Sequence, residues 1–186
     1  MSVPVLATSR LLLRPFVPTD WDAHQAMLAD HVAMEHMHFV TWDEAQRRAW
    51  FTHCLANASQ PQPDDLNWTI ERNLDHQVIG WIGIGTAPDP EHAFDIDFGY
   101  ALARAFWGQG FMPEALRGVF AYEFDTLKVP QLQANCRAPN TASARVMEKA
   151  GMRRTHSDEG ADFEGNRSHR HHYRITRAEW NALAHP

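Results

Sequence analysis

Two cysteines, Cys54 and Cys136, are all that the 186-residue chain holds, and no CxxC spacing joins them. That excludes a disulfide framework and a thiolate metal site, and it suits reduced thiols in a cytosol. No GxxxxGK[ST] stretch is present, so no lysine follows a glycine loop to meet a nucleoside triphosphate. A basic surplus is also missing: 17 Lys and Arg stand against 23 Asp and Glu, a formal net charge of -6. Such a balance offers no cationic stripe to a nucleic-acid backbone, and it mildly favours cationic partners such as amines. The uncharged run VIGWIGIG is far too short to cross a bilayer. MSVPVLATSR lacks the basic and apolar regions of a signal peptide, so a cytoplasmic protein is expected. With no repeat and no dividing linker, one domain over residues 1–186 is expected, and 44% apolar residues can build its core.

What is present reads as short alternating elements. RLLLRPF, Arg10 to Phe16, is apolar and closes on a proline, which suits a first strand at a sheet edge. Thr19 and Asp20 offer a cap for a helix reaching Ala29. Thr41 and Glu44 stand at capping-box spacing, and the steps between Trp42, Ala45, Ala49, Trp50 and Cys54 predict a second helix ending near Asn57. The prolines of SQPQPDD, Ser59 to Asp65, prevent its continuation. NWTIER and VIGWIGIG form a hairpin about the polar turn Asn73 to His76. After TAPDPEH, the run AFDIDFGYAL alternates Phe94, Ile96, Phe98, Tyr100 and Leu102 with Asp95, Asp97, Gly99 and Ala101, a strand with one apolar and one polar face. The helix that follows has Met112, Ala115, Leu116, Val119, Phe120 and Phe124 on one side. QLQANCRA reads as a strand, Asn140 to Ala150 as a helix stopped by Gly151, and Met152 to His156 and His171 to Ile175 as strands. Thr176 and Glu179 form a second capping box, opening a last helix. The order predicts an α+β fold with a mixed, mostly antiparallel sheet flanked by helices.

Gly108 and Gly110 stand between a strand end and a helix start, in FWGQGFMPEALRGVF. The first amides of a helix have no partner inside it, and with the helix dipole they make an anion site. Glycine lets an anion reach the backbone, and Pro113 suits a first turn because its missing amide would be unpaired there. A pyrophosphate is the natural guest; a plain turn is the competing use of Gly-x-Gly. The glycines of GWIGIG fall inside a strand with no helix after it, so the dinucleotide fingerprint fails. Close packing or a bulge is the expected use of Gly80, Gly83 and Gly85.

DFGYALARAFWGQGFMPEAL, followed further along by NTASARVMEKAGM, resembles the acetyl-CoA-binding core of the GNAT superfamily of N-acetyltransferases, in particular its RimJ/RimL-type branch. TSRLLLRPFVPTDWDA and YRITRAEW fit the same branch, so the resemblance spans nearly the whole chain. It implies a GNAT-like fold and an acetyl-CoA-dependent N-acetyltransferase. The acceptor would be a primary amine (a protein N-terminus, an amino acid or another small amine), attacking directly in a ternary complex. Trp107, Gly108, Gln109, Gly110, Phe111 and Met112 would bind the coenzyme A pyrophosphate through backbone amides. Tyr100, Ala101 and Leu102 would pair with the pantetheine arm, Asn140 would hydrogen-bond it, and Ser143 would serve the leaving thiolate. Asp97, at the acidic position before the GY pair, is the candidate proton acceptor; attracting an ammonium substrate is its alternative role, and Asp95 shares its face. A homodimer is common in such families.

Two departures from the family pattern stand out. Ala105 sits where the loop usually opens with Gln or Arg, with Arg104 adjacent, and Met147 sits where the wider superfamily often has a tyrosine. They keep a second reading open, a coenzyme A or acyl-CoA binding protein acting as sensor or partner subunit. Asn140 and Ser143 also have a purely structural use, as an N-cap and a first-turn residue. His169, His171 and His172 complete no zinc pattern, and no metal site is expected. His31, His36 and His38 fall where this branch builds its acceptor cleft, with a surface role expected. Trp42, Trp50, Trp68 and Trp81 lie on apolar periodicities and should be core, whereas Trp107 abuts the glycine loop.

Overall fold

Strands form on the apolar runs Leu11–Arg14 and Gln77–Gly85, and also on the polar stretch Arg153–Ala161. The computed structural model describes residues 2–61, 63, 65–85, 97–161 and 167–184, the side chains of His38, Asp97, Ala161 and Ala184 excepted. Its strands are β1 (Leu6–Ala7), β2 (Leu11–Arg14), β3 (Asp65–Arg72), β4 (Gln77–Gly85), β5 (Asp97–Leu102), β6 (Gln131–Arg137), β7 (Arg153–Ala161) and β8 (Arg167–Thr176). Its α-helices are α1 (Trp21–Leu28), α2 (Glu44–Ala58), α3 (Phe111–Ala121), α4 (Thr141–Ala150) and α5 (Arg177–Ala184). One sheet runs in the order β1-β2-β3-β4-β5 and another in the order β6-β8-β7. The β1–β2, β2–β3, β3–β4, β6–β8 and β7–β8 pairs are antiparallel. The chain divides into two units, Met1–Gly85 with Phe98–Ala115, and Thr86–Asp97 with Leu116–Pro186.

In the first unit, Phe16, Met27, Leu28, Met34, Phe39, Phe51, Cys54 and Trp81 are buried together. The expectation that β2 lies at an edge is corrected: β1, too short to leave an apolar period, is the outer strand, and β2 pairs with both β1 and β3. Asp20 makes no side-chain cap to α1. Its carboxylate accepts instead from Arg14 Nη1 at 2.8 Å, Arg14 Nη2 at 2.9 Å and the Val17 amide at 3.0 Å. Thr69 Oγ1 also donates to Asp20 at 3.2 Å and lies 3.0 Å from His24 Nε2. His24 stacks on Phe16 with ring centroids 4.5 Å apart, and burial pushes its pKa down to about 4, so the ring is neutral. The capping box of α2 is Asp43 with Gln46, not Thr41 with Glu44: Asp43 Oδ1 accepts from the Gln46 amide at 2.8 Å, and Gln46 Oε1 from the Asp43 amide at 2.9 Å.

The β3–β4 hairpin turns where expected, with His76 at φ 57°. Its register slips beside Ile70, which faces Gly80 while Glu71 faces Val78, leaving Ile79 as the extra residue of a bulge. A Cβ on Gly80 would run into the Ala101 carbonyl, and one on Gly83 into the Asn67 side chain, so both serve close packing; Gly85 has open space around it. A Cβ on Gly99 would come within 2.9 Å of Trp81 Cη2, so the glycine before Tyr100 makes room for a core indole. Residues 86–96, including Asp95 and the first half of the AFDIDFGYAL run, lie outside the described residues.

In the second unit, α3 runs on through a wider π turn, Tyr122–Thr126. Phe124 stacks on Trp180 of α5 at 5.9 Å, and Phe120 meets the same indole edge-on at 6.2 Å. Glu123 in that turn is buried, and desolvation raises its pKa from 4.5 to about 7. α4 ends at Gly151 with φ 108°, the left-handed stop that glycine accepts most readily. α5 opens with the expected box, the Thr176 amide donating to Glu179 Oε2 at 2.7 Å and the Glu179 amide to Thr176 Oγ1 at 3.2 Å. His156 and His172, paired across β7 and β8, stack at 4.2 Å. Among the described residues no group of His, Cys, Asp and Glu could hold a metal ion, and no helix is long and apolar enough to cross a membrane.

Candidate active site

The predicted anion site is a loop between β5 and α3. After Leu102 the chain makes a 3-10 turn at Arg104–Phe106, extends through Trp107, and enters α3 across Gly108 (φ 74°) and Gly110 (φ 79°). Both φ values lie in the left-handed region, where a Cβ is penalised. The loop's donors gather at the helix entry. Several of its carbonyls are engaged: Leu102 O accepts from Trp107 Nε1 at 2.8 Å, Ala105 O from Gln109 Nε2 at 2.9 Å, Gln109 O from Arg10 Nη1 at 3.1 Å and Gly110 O from the Glu114 amide at 3.3 Å. The amides of Gly108, Gln109, Gly110, Phe111 and Met112 have no acceptor among the described residues. A row of unsatisfied N–H groups at the positive end of an 11-residue helix suits a diphosphate.

Tyr100, Ala101 and Leu102 occupy the end of β5, where the Leu102 carbonyl is already taken by the Trp107 indole. That indole is 46% exposed, in contrast to buried Trp68 and Trp81. The side chain of Asp97 lies outside the described residues, although its backbone opens β5. In the second unit, Asn140 is the N-cap of α4, its Oδ1 accepting from the Ser143 amide at 3.0 Å, so the structural use of this pair is realised. The Ser143 hydroxyl is hydrogen-bonded to the Cys136 thiol, whose pKa burial pushes up and this bond partly restores. Met147 is buried. His31 is exposed and His36 half-buried, while the side chain of His38 lies outside the described residues.

Residues 10–153 match the model of the acetyltransferase (GNAT) domain family, a span that takes in the loop, Asn140 and Ser143. The chain belongs to the GNAT acetyltransferases. The uncharacterized N-acetyltransferase YnaD of Bacillus subtilis (strain 168) is 26% identical over 177 residues, 95% of this chain and 99% of that protein. The solved structure of a GNAT-family acetyltransferase from Bacillus anthracis superposes with a TM-score of 0.81 at 23% identity, covering 94% of this chain and 99% of that one. The microcin C7 self-immunity acetyltransferase MccE, solved with acetyl-CoA and AMP, superposes with a TM-score of 0.76 at 11% identity, covering 91% of this chain and 93% of that one. This GNAT chain is therefore an N-acetyltransferase with the α+β fold of its family, and that family uses acetyl-CoA.

The glycine loop of this GNAT enzyme has neighbours that no local pattern announces. Glu114, in the first turn of α3, accepts on Oε1 from Thr8 Oγ1 at 2.6 Å, Ser9 Oγ at 3.0 Å and the Arg10 amide at 2.8 Å, and on Oε2 from Arg10 Nε at 2.6 Å. Partial burial pushes the Glu114 carboxyl up, but Thr8, Arg10 and Ser9 together outweigh it and hold the group below its ordinary range. An acidic residue one position after Pro113 marks a helix start; its partners lie about a hundred residues earlier, beyond the reach of spacing arguments. Arg104, the sequence's candidate to offset Ala105, has its Nε committed to Asp30 Oδ2 at 2.5 Å.

Proposed function

We propose that this enzyme is a RimJ/RimL-type transferase that moves an acetyl group from acetyl-CoA to a primary amine by direct attack in a ternary complex. The observation that carries the reading is the run of amides from Gly108 to Met112 at the start of α3, with no acceptor among the described residues, beside a Gln109 carbonyl held by Arg10. Those amides hold the diphosphate, and Tyr100, Ala101, Leu102 and Asn140 contact the pantetheine arm. Asp97 takes the proton shed by the attacking nitrogen, directly or through a water. The Ser143 hydroxyl supplies a proton to sulfur as the carbon–sulfur bond breaks. Two free, buried thiols, Cys54 and Cys136, suit a reducing cytoplasm.

Acceptor class is the open variable, with a protein N-terminus, an amino acid and other small amines as the candidates. Titration calorimetry with coenzyme A and acetyl-CoA, followed by thiol release across a panel of peptide α-amines, amino acids and polyamines, tests the reading. Uptake of both ligands with release that depends on one amine class is expected. Affinity without amine-dependent release would mean a binding protein, and no affinity would remove the diphosphate assignment.

A further inference from the structure

We propose that Arg10 is a positioning residue of the diphosphate loop, with Glu114 holding it in place. The inference rests on the reading of that loop as the diphosphate site. Arg10 makes one contact on each side of the two positive-φ glycines' exit into the helix: Nη1 donates to Gln109 O at 3.1 Å, and Nε to Glu114 Oε2 at 2.6 Å. Its guanidinium also lies over the Phe111 ring, 4.5 Å from the centroid. A Cβ placed on Gly110 would sit 3.6 Å from Arg10 Nη2, so the side chain covers one side of the loop.

The consequence follows from peptide geometry. In a planar trans peptide the carbonyl of Gln109 and the amide of Gly110 point in opposite directions. With the carbonyl drawn to Arg10, the Gly110 N–H is turned away from Arg10 and toward the open side of the loop. Gly108 and Gly110 are the residues least able to hold that plane themselves, because glycine populates both signs of φ at little cost. Within the loop Gln109 Nε2 reaches Ala105 O at 2.9 Å, but among the described residues the peptide plane itself is held only by a contact on the Gln109 carbonyl. Arg10 supplies it, and Arg10 is itself anchored: its amide and the Thr8 and Ser9 hydroxyls converge on Glu114 Oε1, while its own carbonyl accepts from the Asn73 amide at 2.9 Å. A bidentate, planar guanidinium can bridge a carbonyl and a carboxylate at once, which a lysine ammonium on a flexible stem does poorly.

The test compares donors that do and do not carry the diphosphate. For Arg10→Met, calorimetry should show coenzyme A binding about tenfold weaker, and kinetics should place the loss on KM for acetyl-CoA and not on kcat. The ratio of kcat/KM for acetyl-CoA to that for S-acetylpantetheine, which lacks the diphosphate, should fall by a similar factor. General destabilisation lowers both terms and leaves the ratio alone, so a ratio unchanged from wild type overturns the proposal. Arg10→Lys keeps the charge and should show the same loss; full recovery of affinity there overturns the clasp in favour of simple charge. If Arg10→Met folds poorly, Glu114→Gln is read in the same ratio, with the same outcomes. Wild-type protein that takes up no coenzyme A would sink the underlying site reading as well, whereas normal wild-type uptake with unaltered variants sinks this inference alone.

Discussion

Gly108 has φ 74°, and a Cβ built on it meets no protein atom within 4 Å. Among the protein atoms, therefore, nothing but backbone conformation opposes a side chain at this position. Gly108→Ala should cost about 1–2 kcal/mol, the penalty of a Cβ in the left-handed region, and lower Tm by roughly 2–4 °C per kcal/mol for a chain of this size. Gly108→Asn should fold with less loss, because Asn tolerates that region. The two uses of the glycine then separate. If it serves only the turn, Gly108→Asn binds coenzyme A as wild type does. If it lets a diphosphate approach the amides of Gly108 to Met112, the Asn side chain occupies the approach, and Kd should rise at least about tenfold, or about 1.4 kcal/mol. Thermal denaturation paired with calorimetry on both variants decides between them. A Gly108→Asn protein with near-native stability and undiminished coenzyme A affinity would refute the reasoning that the open side of this loop is where the ligand lies.

Other expectations concern the proton carriers and one buried acid. Asp97→Asn should reduce kcat at saturating acetyl-CoA by roughly a hundredfold if the carboxylate accepts the amine proton; pre-steady-state kinetics with an unchanged rate would remove the assignment. Ser143→Ala should slow thiol release by roughly tenfold or more without weakening coenzyme A binding, because Asn140 caps α4 through the Ser143 backbone amide and not its hydroxyl. Stopped-flow thiol detection checks this. Glu123 has a folded pKa near 7 against an ordinary 4.5, so its burial cost is absent below pH 4.5 and grows as pH rises to 7. Glu123→Gln should accordingly match wild type at pH 4 and exceed it by about 2 kcal/mol at pH 8, after discounting for screening. Equal urea midpoints at both pH values would show that the carboxyl is solvated.

The parts of the molecule legible in the sequence were those written in local spacing. The β3–β4 hairpin, α4 between Asn140 and Gly151, the Thr176–Glu179 box and the glycine entry to α3 each lie within a few residues of the signal that marks them. Competing local signals produced the misplaced start of α2: Thr41/Glu44 and Asp43/Gln46 both have the right spacing, and the backbone chose the second. Asp20 looked like a cap because Asp is a good one, but a half-buried arginine from β2 offered stronger, charge-assisted partners. Long-range pairings were illegible altogether. Nothing near Gly110 names Arg10, and nothing near Arg104 names Asp30. At the loop itself, the sequence offered the amides of Trp107 to Met112; that of Trp107 donates instead to the Arg104 carbonyl at 3.1 Å, and no local signal named the arginine that holds the Gln109 carbonyl.

The separation between Arg10 and Glu114, 104 residues, has a consequence for when the loop becomes competent. Contacts of such span carry a large closure entropy and form late. On the proposed clasp, a nascent chain halted before Glu114 lacks the carboxylate that anchors Arg10. Even a longer one is without that anchor until the β1–β2 turn has docked on the start of α3. Coenzyme A uptake would thus signal that the earliest-made segment has found a partner synthesised much later, and ligand should favour refolding through this last clasp rather than through the hairpins that precede it.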